Sequence, residues 1–159
     1  MYKVQDKKNG EIYAAKVSLR FLPGSSDPVY RDLSREVNIL SRINHPSILK
    51  FVGFSPLNFH QEQKPVIVTE FLSNGSLFDI IESEKKGLCK DEWNDTRKLI
   101  CIYGIASAMA YLHSHGIIHR DLKPANILMD DFLFPKIADF GLSKMKHQNQ
   151  ESMTAGSKL

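Results

Sequence analysis

Cysteine is scarce in this sequence. Two residues, Cys89 and Cys101, give neither a disulfide framework nor metal-ligand spacing. An intracellular, reducing compartment follows as the default, and a cytoplasmic location is expected. Long apolar runs are missing too. The longest, residues 100–106, is far too short to cross a bilayer. Residues 1–10 are polar and charged and do not read as a signal peptide. No block of Lys and Arg marks an arm for nucleic acid or membrane. The net charge is only +3 and is spread along the chain. Repeats and low-complexity tracts are also lacking. What remains, at 159 residues and 42% hydrophobic, is one globular unit or part of a larger one.

The pattern of elements is mixed. Residues 2–4 and 11–19 read as strands, joined through Asn9-Gly10, where both residues tolerate positive φ. A helix is expected through about Ile43, with Leu33, Val37, Leu40 and Ile43 at helical spacing. Asn44-His45-Pro46 stops it. Strands follow near residues 49–54 and 65–71. The unbroken run Val66-Ile67-Val68 suits a strand buried on both faces. Past Asn74-Gly75 the character turns helical. A short helix is expected over 76–84. A long one should begin after an Asp91 cap and run to about His115, with Leu99, Ile102, Ala106, Met109 and Leu112 on one face. Gly116 ends it. Short strands are expected at 127–129 and 135–138. The class is therefore α+β: an antiparallel sheet with one helix, then a mainly helical region.

The chemistry concentrates in Ile118-His119-Arg120-Asp121-Leu122-Lys123-Pro124-Ala125-Asn126-Ile127-Leu128, followed by Asp139-Phe140-Gly141. Upstream stand Ala14-Ala15-Lys16 on a strand and Glu36 on the next helix. Taken singly, each has an ordinary reading as a surface charge, a turn cap or a core histidine. Together, in this order, they resemble the eukaryotic protein kinase family. The resemblance implies a two-lobe fold, with residues 1–72 in a small sheet lobe and 73–159 in part of a helical lobe. It further implies ATP and magnesium as cofactors and phosphoryl transfer to a protein hydroxyl. Such a reaction moves charge on phosphate oxygens, so the protein must position and neutralise.

The resemblance assigns roles residue by residue. Asp121 would accept the proton of the incoming hydroxyl, and Lys123 would steady the transferred phosphate. Lys16 would hold the α- and β-phosphates, and Glu36 would hold Lys16. Asn126 and Asp139 would be magnesium ligands, with Gly141 allowing a sharp turn after Asp139. Ala14 would pack on the adenine, Thr69 would stand beside it, Glu70 and Leu72 would pair with it through their backbones, and Leu128 would form the floor. Lys123 in this loop is the serine/threonine pattern, and Gly75-Ser76-Leu77 resembles the tyrosine-kinase-like branch of those enzymes. The expected partner is a protein substrate with Ser or Thr. Arg120 would pair with a phosphate on Ser152 or Thr154, or less readily on Ser143. His119 would be structural.

Two departures belong to the same reading. The glycine-rich loop expected before Lys16 is not in the sequence, and Met1 falls about where its closing valine belongs. No Ala-Pro-Glu motif follows residues 153–157. The chain is thus expected to begin inside the domain and end in the activation segment. The alternative function is a non-catalytic, kinase-like module that binds nucleotide or a protein partner.

Overall fold

The computed structural model describes residues 1–18 and 28–145, with residues 28–32 as backbone only. Four antiparallel strands form the first layer: β1 (Tyr2–Gln5), β2 (Ile12–Val17), β3 (Phe51–Ser55) and β4 (Val66–Glu70), in the order β1-β2-β4-β3. Helix α1 (Pro28–Leu40) falls between β2 and β3 in the chain. The helical part holds α2 (Leu77–Lys85) and α3 (Asp95–Ser114). Two small sheets complete it. One pairs β5 (Ile117–Ile118) with β8 (Lys144–Met145); the other pairs β6 (Ile127–Met129) with β7 (Pro135–Ile137). The α+β class stands as expected.

Each element has a local cause. The β1–β2 turn closes with Asp6 N–H on the Glu11 carbonyl and Gly10 N–H on the Asp6 carbonyl, both at 2.9 Å. Only Gly10 takes a positive φ, +75°, so the expected two-residue Asn9-Gly10 turn is replaced by a wider one. Asp6 and Asn9 stabilise it by accepting the N–H groups of Lys8 and Glu11. Strand β4 sits between two neighbours, and Val66, Ile67 and Thr69 are all buried. Ser76 caps α2 with Asp79 in a reciprocal capping box. Helix α3 is capped by Asn94 rather than Asp91; the Asn94 side-chain oxygen accepts the Arg97 N–H at 3.0 Å. Helix α1 stops at Leu40, three residues short of Ile43, where Arg42 N–H turns back to the Ile39 carbonyl.

The buried face of α3 is also not the expected one. Cys101, Gly104, Ala108 and Leu112 face the core, whereas Leu99 is 67% and Ile102 64% exposed. The helix is apolar on more than one side, and close approach decides between them. A Cβ on Gly104 would sit 2.7 Å from Pro135 Cγ and 2.8 Å from Ser47 Oγ. Small residues let the helix press against β7 where a leucine stripe could not. Burial pushes the Cys101 thiol up to about 11, so it behaves as a small inert core residue.

Gly104→Ala should therefore destabilise the protein. Alanine gains about 1 kcal/mol of helix propensity over glycine. Overpacking against a proline ring costs about 1–3 kcal/mol. The expected net is a melting temperature lower by a few degrees in a calorimetric scan. An unchanged or higher melting temperature would show that the neighbours yield freely.

The two layers are stitched by backbone bonds. Ile137 N–H donates to the Ser47 carbonyl, and Leu49 N–H donates to the Ile137 carbonyl, both at 2.9 Å. A core of Ile39, Leu40, Ile48, Ile67, Ala108, Leu112, Ile117, Ile137 and Phe140 crosses the junction. Sheet, α1, α3 and β7 thus share one apolar centre, which fixes the cleft between the layers.

Candidate active site

Lys16 stands on β2, beside Ile67 of the neighbouring strand. Its Nζ lies 2.9 Å and 3.2 Å from the two carboxylate oxygens of Glu36 and 3.3 Å from Asp139 Oδ1. Glu36 is 6% exposed, and a carboxylate shielded that far needs a cation. Burial alone would lower the Lys16 pKa. The Glu36 and Asp139 carboxylates outweigh it and raise the pKa, so the ammonium stays charged.

Asp121 and its neighbours form a second group. Lys123 Nζ and Asn126 Nδ2 both donate to Asp121 Oδ2 at 2.8 Å. Asn126 Nδ2 also donates to the Asp121 carbonyl at 2.9 Å, so the amide oxygen of Asn126 is turned away from Asp121. The Lys123 hydrogen bond holds the Asp121 carboxyl below the usual carboxylate range.

Buried residues brace this loop from behind. His119 is fully buried, with Nε2 donating to the Ala138 carbonyl at 3.0 Å and Nδ1 facing the Asp121 N–H at 3.4 Å. The carbonyl requires the proton on Nε2, which leaves Nδ1 as acceptor. Burial lowers the His119 pKa, which keeps this neutral form. Phe140 packs edge-on against the ring at 4.9 Å. Arg120 takes φ +68° and donates from Nε to the Leu142 carbonyl. Ser143 is fully buried and donates to the His119 carbonyl at 3.2 Å, so it is a brace rather than a solvated loop hydroxyl. Ser152 and Thr154 lie outside the described residues.

The sharp turn expected at Gly141 occurs two residues earlier. Asp139 has φ +60°, and Gly141 is not in the left-handed region. That strained conformation turns the Asp139 side chain, 51% exposed, toward Lys16 while Phe140 is buried. A Cβ at Gly141 would meet Asp139 Oδ1 at 3.4 Å, an ordinary contact, so neither conformation nor space demands glycine there.

One cavity of about 460 Å³ joins the pieces. Ala14, Lys16, Glu36, Thr69, Glu70, Leu72, Asn126, Leu128 and Asp139 all line it. Asp121 and Lys123 do not; they stand beyond Asn126, which touches both the cavity and Asp121. The lining residues that sequence reasoning missed include Leu40, Leu49 and Ala138. Leu40 could have been found, since it lies one helical turn past Glu36 on the same face. Leu49 and Ala138 carry no local signal and are set by the junction of the layers.

The cavity's chemistry fits a nucleoside triphosphate with a divalent cation. It is apolar between Ala14 and Leu128 and cationic at Lys16, and its volume is in the range of small-molecule sites. Among the described residues no group of three or more His, Cys, Asp or Glu could hold a metal alone. One carboxylate and one amide oxygen suit a magnesium ion that completes its shell with phosphate and water.

An antiparallel sheet over a helical layer, with a lysine–glutamate pair and an aspartate-bearing loop across the cleft, defines the protein-kinase class of fold. The family model for the protein kinase domain matches residues 1–158, and the chain belongs to that family. It is 38% identical over 143 residues to a serine/threonine-protein kinase-like protein of Arabidopsis thaliana, covering 85% of this chain and 38% of the relative. It is 40% identical over 140 residues to a probable leucine-rich repeat receptor-like protein kinase of the same plant, covering 86% and 14%. It is also 35% identical over 129 residues to human receptor-interacting serine/threonine-protein kinase 3, covering 78% and 23%. The chain spans well under half the length of each. Among the described residues no helix is long and apolar enough to cross a membrane.

Proposed function

We propose that this chain performs ATP-dependent phosphoryl transfer to serine and threonine hydroxyls of protein substrates. The observation that carries the reading is a charged group in the cavity joined through Asn126 to a second group just beyond it. Lys16 is held between Glu36 and Asp139, while Asp121 is held by Lys123 and Asn126.

In this reading Ala14 and Leu128 sandwich the adenine, Thr69 sits beside it, and Glu70 and Leu72 pair with its edge through backbone groups. Lys16 holds the inner phosphates, and Glu36 fixes the ammonium in place. Asn126 and Asp139 would hold magnesium, which would supply positive charge to offset that of the phosphates. Asp121 orients the incoming hydroxyl and accepts its proton. Its Oδ2 is already taken by Lys123 and Asn126, which leaves Oδ1 for the substrate. Lys123 is one hydrogen bond from the proposed base and can follow the transferred phosphate. The relatives' printed names favour serine and threonine over tyrosine, and Lys123 agrees. The protein substrate is met in the cytoplasm in this reading.

The test is phosphoamino-acid analysis after incubating the full-length polypeptide bearing this sequence with labelled ATP and casein. Phosphoserine and phosphothreonine are expected. Label confined to phosphotyrosine would overturn the substrate class, and no label above an ATP-only control would overturn the reaction.

A further inference from the structure

The carboxylate of Glu70 has partners of its own, separate from the backbone role given above. Its Oε1 accepts the Lys50 N–H at 2.8 Å and pairs with Lys136 Nζ at 3.3 Å. The two side chains are 25% and 17% exposed, so the pair is shielded from most solvent and salt. An exposed pair would contribute little, and this one is not exposed.

Position gives the pair its meaning. Glu70 closes β4 at the upper edge of the cavity. Lys136 is the central residue of β7, paired in register with Leu128, the floor residue. Three residues further along the same strand path lies Asp139. Lys136 itself does not line the cavity; it borders a separate hollow behind Leu40 and Leu49. One ion pair therefore connects the strand that ends at the cavity's upper edge to β7, the strand paired with the one that carries the floor.

We propose that Glu70 and Lys136 form a positioning pair that sets the gap between roof and floor of the nucleotide cavity. Lys136 then governs nucleotide affinity without touching nucleotide. The inference rests on the nucleotide-binding reading above. Contacts to the adenine are the same in the ground state and the transition state. Loosening the gap should weaken both equally, which raises KM and leaves kcat alone. A purely structural staple would lower thermal stability and leave KM unchanged.

The experiment compares the full-length polypeptide with its Lys136→Met, Lys136→Arg and Glu70→Gln variants. ATP dissociation constants, KM for ATP, kcat and melting temperature are measured for each. Lys136→Met and Glu70→Gln should each raise KM and the dissociation constant by about 3- to 10-fold. Turnover of Lys136→Met should stay within about two-fold. The double variant should be no weaker than either single one, because both break the same contact. Lys136→Arg keeps the charge and should restore affinity. If the methionine variant fails to fold, Glu70→Gln still tests the rise in KM and in the dissociation constant with size conserved. Lower melting temperature with unchanged KM would overturn the proposal, and so would higher kcat with unchanged KM. A parent that binds no nucleotide would overturn the nucleotide reading and the pair's role together. A parent that binds, with variants that match it, would overturn the pair alone.

Discussion

Replacing Asp121 with asparagine should cut phosphoryl transfer by about 10²–10⁴-fold, the usual contribution of a positioned proton acceptor. Asparagine keeps the size of the side chain and one oxygen for Lys123 and Asn126. It removes the negative charge and the ability to take a proton. ATP affinity should remain close to that of the parent, because Asp121 does not line the cavity. Stability should change little, since His119, Phe140 and Ser143 brace the loop from behind and none of them depends on the Asp121 carboxylate. The Lys123 hydrogen bond also keeps the Asp121 pKa depressed. The carboxylate form therefore persists below the usual carboxylate range, and transfer is lost only as the pH falls through that lowered pKa. Initial rates of label transfer, with ATP affinity measured in parallel by fluorescence titration, decide the matter. A variant within ten-fold of the parent would remove Asp121 from the role of base.

The proposed site residues could be named from the sequence because the chemistry of the resembled family restricts their type. A hydroxyl must lose a proton to a carboxylate, a triphosphate needs a cation, and magnesium needs hard oxygens. Asp121, Lys16, Asp139 and Asn126 could be placed on those grounds with their family resemblance. What the sequence did not disclose depends on how closely elements approach. The α3 reading favoured large side chains such as Leu99 and Ile102, yet the core took Cys101, Gly104 and Ala108, and at Gly104 Pro135 and Ser47 leave no room for more. Backbone strain was hidden as well. Glycine at 141 drew attention as the flexible residue, but the left-handed conformation falls on Asp139. Aspartate is among the few side chains that tolerate that conformation, but its neighbours His119, Ala138 and buried Phe140 lie together only in the fold. The Glu70–Lys136 pair was invisible for the same reason, since its partners lie in different layers.

Asp139→Ala should abolish most of the gain in ATP affinity that magnesium provides. Among the described residues, the Asp139 carboxylate is the one acidic group that both lines the cavity and reaches Lys16 from the lower layer. It is half exposed, so an ion and its waters can approach it. Its removal leaves Asn126, a neutral amide, to hold a divalent cation with phosphate and water alone. Removing even a supporting partner of a metal ligand typically weakens metal binding by about 10–100-fold, and loss of the ligand should do at least that. Lys16 keeps its stronger partner, because Glu36 lies closer at 2.9 Å. The phosphate-facing cation therefore survives, and affinity for metal-free ATP should stay near the parent value. The measurement is the ATP dissociation constant with and without magnesium, in parent and variant, which needs no turnover. Asp91→Ala is the control, an exposed carboxylate outside the cavity lining. The ratio of the two constants should fall toward one in Asp139→Ala and stay at the parent value in the control. A ratio that survives the loss of Asp139 would place the metal on other ligands and overturn this assignment.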